Sequence, residues 1–247
     1  MKLHIVAAGV SRGQDLSRFQ RDPDFRKATP NMIMGYAALD GVVKKFPKLD
    51  TASFVLGSSF GELQTTESFL SALTKQGLAR PLLFQNSLYN ATIGFLALKL
   101  GATGPSVSVS NRYFTGESCL ETASILIDSG AQLCIALAVE ARVSMLEPAL
   151  LQNYSKKTIL DEGAAAVLLA SEKTAQELGL ETLGIIESVE YHQHGGSPVA
   201  GPYYDSNAIE CILKTLNENG PNGKVPSELI LSKPDGSFSK IRLSRAK

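Results

Sequence analysis

The sequence predicts a layered α/β fold, on three observations. Short apolar runs of strand length alternate with stretches of helical apolar spacing between residues 3 and 191. Proline or glycine closes several of the helical stretches, at Pro47, Gly101 and Gly130. The apolar share, 44% of 247 residues, is enough to bury a substantial core.

In chain order, residues 3–8 read as a buried strand, and residues 11–29, with charges of both signs and Pro23, as a polar loop. Ile33, Tyr36, Ala37, Leu39, Val42 and Val43 mark a helix over 31–46. Residues 52–57 are strand-like, and 62–76 form an amphipathic helix. An irregular stretch at 80–90 leads into a helix at 91–100. Residues 106–110 alternate like a strand. Residues 118–127 are apolar on nearly every side, as suits a helix buried inside a domain. Buried strands follow at 132–139, 163–170 and 185–191. After Gln193 the texture changes: Gly195, Gly196, Pro198, Gly201 and Pro202 mark a loop. A helix at 206–219 and a short strand at 229–231 come next, and the rest is polar.

Lys+Arg and Asp+Glu both number 24, so neither nucleic acid nor an acidic membrane surface is favoured as a partner. The basic end, from Lys240 to Lys247, reads as a solvated terminus. No apolar run is long enough to span a membrane, and the opening residues are too briefly apolar for a signal peptide. Three widely spaced cysteines, Cys119, Cys134 and Cys211, indicate structural thiols in a reducing, cytoplasmic setting. The Asn90 and Asn153 sequons then carry no meaning.

Two motifs compete for a chemical reading. Gly57-Ser58-Ser59-Phe60-Gly61 matches the Gly-x-Ser-x-Gly nucleophile elbow, with Asp161 and His192 or His194 as conceivable triad partners. Only one strand precedes it, and a tight glycine turn explains the same letters. His192 and His194 suggest a metal site only weakly, because no third ligand accompanies them. No phosphate-binding or dinucleotide fingerprint is present, so no cofactor is expected.

The informative stretch is 84–141. Phe84-Gln85-Asn86-Ser87-Leu88-Tyr89-Asn90 is followed by a helix that runs into Gly101-Ala102-Thr103-Gly104-Pro105 and then a Ser106–Ser110 strand. Gly130–Ala141 and Asp161-Glu162-Gly163-Ala164 follow in turn. In order and spacing these segments resemble the β-ketoacyl synthases of the thiolase superfamily, over about 190 residues. The resemblance implies a thiolase-like layered fold. Residues 1–190 would be one α-β-α half, the ketosynthase-like domain, and 191–247 a short, incomplete remnant of the second half.

In that family a cysteine at the start of the buried helix forms the thioester, where the helix N-terminus favours the thiolate. The equivalent position, eight past Pro105, is Tyr113. A phenol with a pKa of about 10 is a poor acyl carrier. Cys119 lies six residues further on, roughly 9 Å along the helix. Lys233 falls near the family's first catalytic histidine, and the second has no counterpart. The resemblance therefore implies a non-catalytic subunit of the chain-length-factor type. Such a subunit pairs with a catalytic β-ketoacyl synthase and shapes its acyl tunnel in polyketide, aryl polyene or fatty-acid-like elongation.

The same resemblance nominates the partner and tunnel interface: Leu82, Phe84, Leu88 and Tyr89 in the loop, Ser106, Ser108 and Ser110 on the pairing strand, and Arg112. Tyr113 and Phe114 would plug the chain's own vestigial site, and Arg112 and Glu117 are a conceivable ion pair there. Acyl carrier protein would be met through the complex. Two other readings stand beside this one: a module that binds an acyl group or acyl carrier protein without a condensing partner, and a hydrolase using Ser59.

Overall fold

The computed structural model describes residues 2–13, 16–19, 22–146, 162–193, 207–218 and 226–245. Asp161, Asn153, His194 and the 195–202 loop lie outside them. The elements are β1 (Leu3–Arg12), α1 (Pro30–Lys45), β2 (Ser53–Gly57), α2 (Leu63–Gln76), α3 (Pro81–Asn86) and α4 (Ala91–Leu100). They continue as β3 (Ser106–Val109), α5 (Thr115–Asp128), β4 (Leu133–Glu140), β5 (Gly163–Ala170) and α6 (Glu172–Glu177). The last four are β6 (Gly184–His192), α7 (Asn207–Glu218), β7 (Glu228–Ser232) and β8 (Phe238–Ser244). The alternation of strands and helices expected from the sequence is met.

Among the described residues, eight strands join one mixed sheet in the order β3-β2-β4-β5-β1-β6-β8-β7. β2 runs parallel to β3 and β4, and the other pairings are antiparallel. Every residue of β5 and all but the first of β4 are buried, because helices cover both faces. Along β4, Cys134, Ala136 and Ala138 face a core shared with α5 and α7. Ile135, Leu137 and Val139 face the opposite core, shared with α1 and α4. This is the layered arrangement: helices, sheet, helices.

The sheet does not stay flat. β1 pairs with β5 along most of its length but with β6 only through Leu3–Ile5. A register shift between Ile186 and Ser188 then carries β6 over to β8, and such irregularities bend a strand and steepen its twist. Beyond the bend, Tyr191 and Ser239 both reach side chains of α5. The β6-β8-β7 end thus curls over α5 and α7, and α5 is enclosed from both sides. That enclosure explains why its first six residues, Thr115 to Leu120, are all buried.

Three sequence expectations are corrected. The polar loop at 11–29 begins later, since β1 continues to Arg12. It also carries Phe19 and Phe25, which pack with Ile33 and Tyr36 into a small aromatic core. The irregular 80–90 stretch contains α3, opened by Pro81 at its first turn. The basic end is mostly β8. Ser239, Ile241 and Leu243 are buried, whereas Lys240 and Arg242 alternate with them on the other face. Residues 191–247 contribute β7 and β8 to the common sheet and α7 to the layer packed against it, and position 190 falls within β6.

Candidate functional site

The site forms where β2 and β3 end and α5 begins. β2 leads into the Gly57–Gly61 turn, which is held from below by Glu140 at the end of β4. The backbone N–H groups of Ser59 (2.8 Å) and Phe60 (3.1 Å) donate to Glu140 Oε2. Ser58 Oγ donates to the same carboxylate (3.1 Å). The turn is finished by Gly61, at φ +54°, where an added Cβ would sit 2.6 Å from the Tyr89 ring. Tyr89 in turn donates its hydroxyl to the Ser58 and Val109 carbonyls, joining the 80s segment to the end of β3.

Ser59, the elbow serine of the hydrolase reading, has a structural task. Its hydroxyl donates to the Arg112 carbonyl (2.7 Å) and meets Thr115 Oγ1 (2.9 Å). The adjacent carboxylate serves Ser58 and two backbone amides instead. Both described histidines are engaged elsewhere: His4 meets Thr182, and His192 stacks on Phe238. Among the described residues no group of three or more His, Cys, Asp and Glu side chains is placed to hold a metal.

Between β3 and α5 the chain makes one tight turn, Arg112–Phe114. Tyr113 stands at its centre, half-buried, immediately before the first turn of α5. Phe114 points into the chain. Its ring meets Tyr191 edge-on, with centroids 5.2 Å apart, and Lys233 Nζ lies 5.3 Å from its centroid. Beneath it, fully buried Lys233 is ion-paired with Glu117, which is 1% exposed and also accepts a hydrogen bond from Ser239 Oγ at 2.6 Å. Lys233 is delivered by the tight β7–β8 hairpin, whose Asp235 accepts from Ser237 N–H (3.0 Å). Tyr191 donates to Glu121 (3.0 Å), and burial pushes its phenol well above the ordinary range.

The Arg112–Glu117 pair that the sequence left conceivable is not formed. Glu117 turns inward, where an enclosed carboxylate must find donors, and the Lys233 ammonium and the Ser239 hydroxyl supply them. Cys119 is fully buried, its thiol directed at the Leu137 carbonyl (3.6 Å), and Cys134 is pushed up to about 12 by burial. No thiol stands at the helix start. Among the described residues, Ser59, Tyr113 and Phe114 stand at the N-terminus of α5, and none of them is a cysteine or a histidine.

The remaining sequence-nominated residues form a surface beside this turn. Leu82 and Phe84 on α3, and Leu88 and Tyr89 after it, are all exposed, Phe84 by 54% and braced by Phe69 at 5.5 Å between centroids. Leu70 and Leu73 on α2 and Leu78 just after it are exposed as well. Among the described residues β3 is an edge strand, paired on one side only, with Ser106 and Ser108 along it and Ser110 just beyond. Ser108 Oγ is buried without a hydrogen-bond partner among the described residues. Sequence reading missed Glu140 and Tyr191. A lone glutamate ending an apolar strand is the signal for the first.

The description "Beta-ketoacyl synthase, N-terminal domain" fits residues 34–217. No curated protein matches the chain in sequence. Among solved structures, similarity extends to the ketosynthase ApeO in complex with its chain length factor ApeC from Xenorhabdus doucetiae. The two are 16% identical, with a TM-score of 0.69 over 99% of this chain and 100% of that one. The ishigamide ketosynthase/chain length factor superposes over the whole of both chains at 13% identity and TM-score 0.74. A β-ketoacyl synthase from Burkholderia phymatum STM815 does so at 12% identity and TM-score 0.74. At such identities the likeness establishes a common fold.

Proposed function

The chain belongs to the β-ketoacyl synthase N-terminal domain family, and we propose that within it the chain is a non-catalytic subunit of the chain-length-factor type. It pairs with a catalytic β-ketoacyl synthase and shapes the acyl tunnel of that partner. The partner forms the thioester and meets the acyl carrier protein.

One observation carries this reading. At the start of α5, where a condensing enzyme of this family needs a thiolate and its bases, stand Tyr113 and Phe114, with the buried Lys233–Glu117 pair beneath the Phe114 ring. An ammonium already neutralised by a carboxylate does not serve as a general base, and a tyrosine is a poor thioester former. The exposed apolar residues Leu82, Phe84 and Leu88 next to edge strand β3 supply the contact surface. Two of the similar folds belong to ketosynthases solved with, or named together with, a chain length factor.

The test is co-expression with a candidate ketosynthase encoded nearby, followed by affinity capture and sizing. A stable 1:1 complex is expected. A chain that stays monomeric and captures no ketosynthase overturns the reading. Capture of acyl carrier protein alone favours an acyl- or carrier-binding module instead.

A further inference from the structure

Arg112 is the only non-glycine residue with positive φ, +46°, among the described residues. A long side chain is uncommon in that region, where the left-handed backbone crowds Cβ. The conformation is held from several directions. The Arg112 carbonyl accepts from Ser59 Oγ and from Thr115 Oγ1, both at 2.7 Å. Thr115 Oγ1 also accepts from the Asn111 N–H (3.0 Å), and Asn111 Nδ2 donates to Ser118 Oγ (2.9 Å). A turn that only needed a left-handed residue would be served by glycine or asparagine. An asparagine is present one position earlier, at φ −147°, and arginine occupies the strained place. Strain kept in this way points to a use for the side chain.

The surroundings indicate what that use is. Arg112 is exposed at the end of edge strand β3. It lies one turn from Val109, whose carbonyl holds the Tyr89 hydroxyl and so the exposed 82–89 surface. The two carboxylates flanking the turn are committed elsewhere: Glu140 to Ser58 and the 59–60 amides, and Glu117 to Lys233 and Ser239. No ion pair among the described residues includes Arg112. A guanidinium with open donors is thus presented beside an apolar patch, and its planar fork fits a carboxylate in two-point contact.

We propose that Arg112 is the charged anchor of the subunit interface, taking a carboxylate of the catalytic ketosynthase. This rests on the pairing reading above. The patch supplies buried area, and Arg112 supplies register and orientation.

The test measures the dissociation constant of the co-purified pair for wild type, Arg112→Ala, Arg112→Glu, Arg112→Lys and Arg112→Gly, at low and moderate salt. Arg112→Ala is expected to weaken the complex about tenfold or more, and Arg112→Glu further. Arg112→Lys recovers part of the affinity but not all, because it lacks the fork. Arg112→Gly relieves the positive φ, so the isolated chain melts higher while the complex weakens as with alanine. That variant keeps the test decisive where Arg112→Glu folds poorly. Binding of Arg112→Ala and Arg112→Gly within twofold of wild type overturns the anchor and leaves the pairing standing. A wild-type chain that forms no complex overturns both.

Discussion

Replacing Lys233 by methionine isolates the energetics of the buried pair. The ammonium is fully enclosed, and its removal leaves Glu117, 1% exposed, with the Ser239 hydroxyl as its remaining partner among the described residues. Breaking one side of a buried pair costs about 3–5 kcal/mol, most of it the desolvation of the charge left behind. For a domain of this size about 1 kcal/mol lowers Tm by roughly 2–4 °C, so the loss is on the order of 10 °C. The double variant Lys233→Met/Glu117→Leu removes both charges and keeps comparable volume. It should recover most of the loss, because an apolar replacement of the whole pair is often neutral or better. Urea denaturation of wild type, both single variants and the double variant closes the cycle. The two singles should each lose several kcal/mol, and the double should lose far less than the sum of those two losses. A Lys233→Met midpoint equal to wild type, or strictly additive losses, refutes a buried pair as the filling of the site.

Four further outcomes follow from the geometry. Gly61→Ala should lose about 1–3 kcal/mol, since it meets both a positive φ and the Tyr89 ring, and a thermal melt unchanged from wild type contradicts the turn as described. Glu62 accepts from Thr29 (2.7 Å), Thr92 and Thr65 (3.1 Å), and burial raises its pKa. With the folded value above the unfolded one, its contribution is present below pH of about 4.5 and is lost as pH rises through the folded value. Glu62→Gln should remove that decline, and identical stability–pH curves for variant and wild type count against it. The wild-type chain should resist fluorophosphonate labelling. Ser59→Ala should cost about 1 kcal/mol through the lost bond to Arg112, whereas a label that disappears in Ser59→Ala restores the hydrolase reading. Cys119 and Cys134 should stay unalkylated by iodoacetamide until denaturant is added, and rapid native modification of either contradicts their burial.

The fold was legible where a single period dominated. α1, α4 and β4 follow apolar spacing closely enough to be placed within a residue or two. β8 was not, because Lys240 and Arg242 give a basic look to a strand whose alternate residues Ser239, Ile241 and Leu243 are buried. The period of two was present but outweighed by charge. The curl of the sheet over α5 depends on a register shift at Ile186 and Ser188, which leaves no local mark in the letters. The site divides in the same way. Tyr113 follows from the family resemblance, by a count along one segment. The Lys233–Glu117 pair joins residues 116 positions apart, and only the hairpin and the curl bring them together. Sequence reading therefore paired Glu117 with its near neighbour Arg112, which faces the surface.

The central claim is that this chain contributes shape and its partner the chemistry. The direct measurement is intact mass spectrometry of the co-purified pair after incubation with an acylated carrier protein. The account predicts an acyl mass increment on the ketosynthase chain and none on this one, in the wild type and in Tyr113→Phe alike. An acyl adduct on this chain contradicts it.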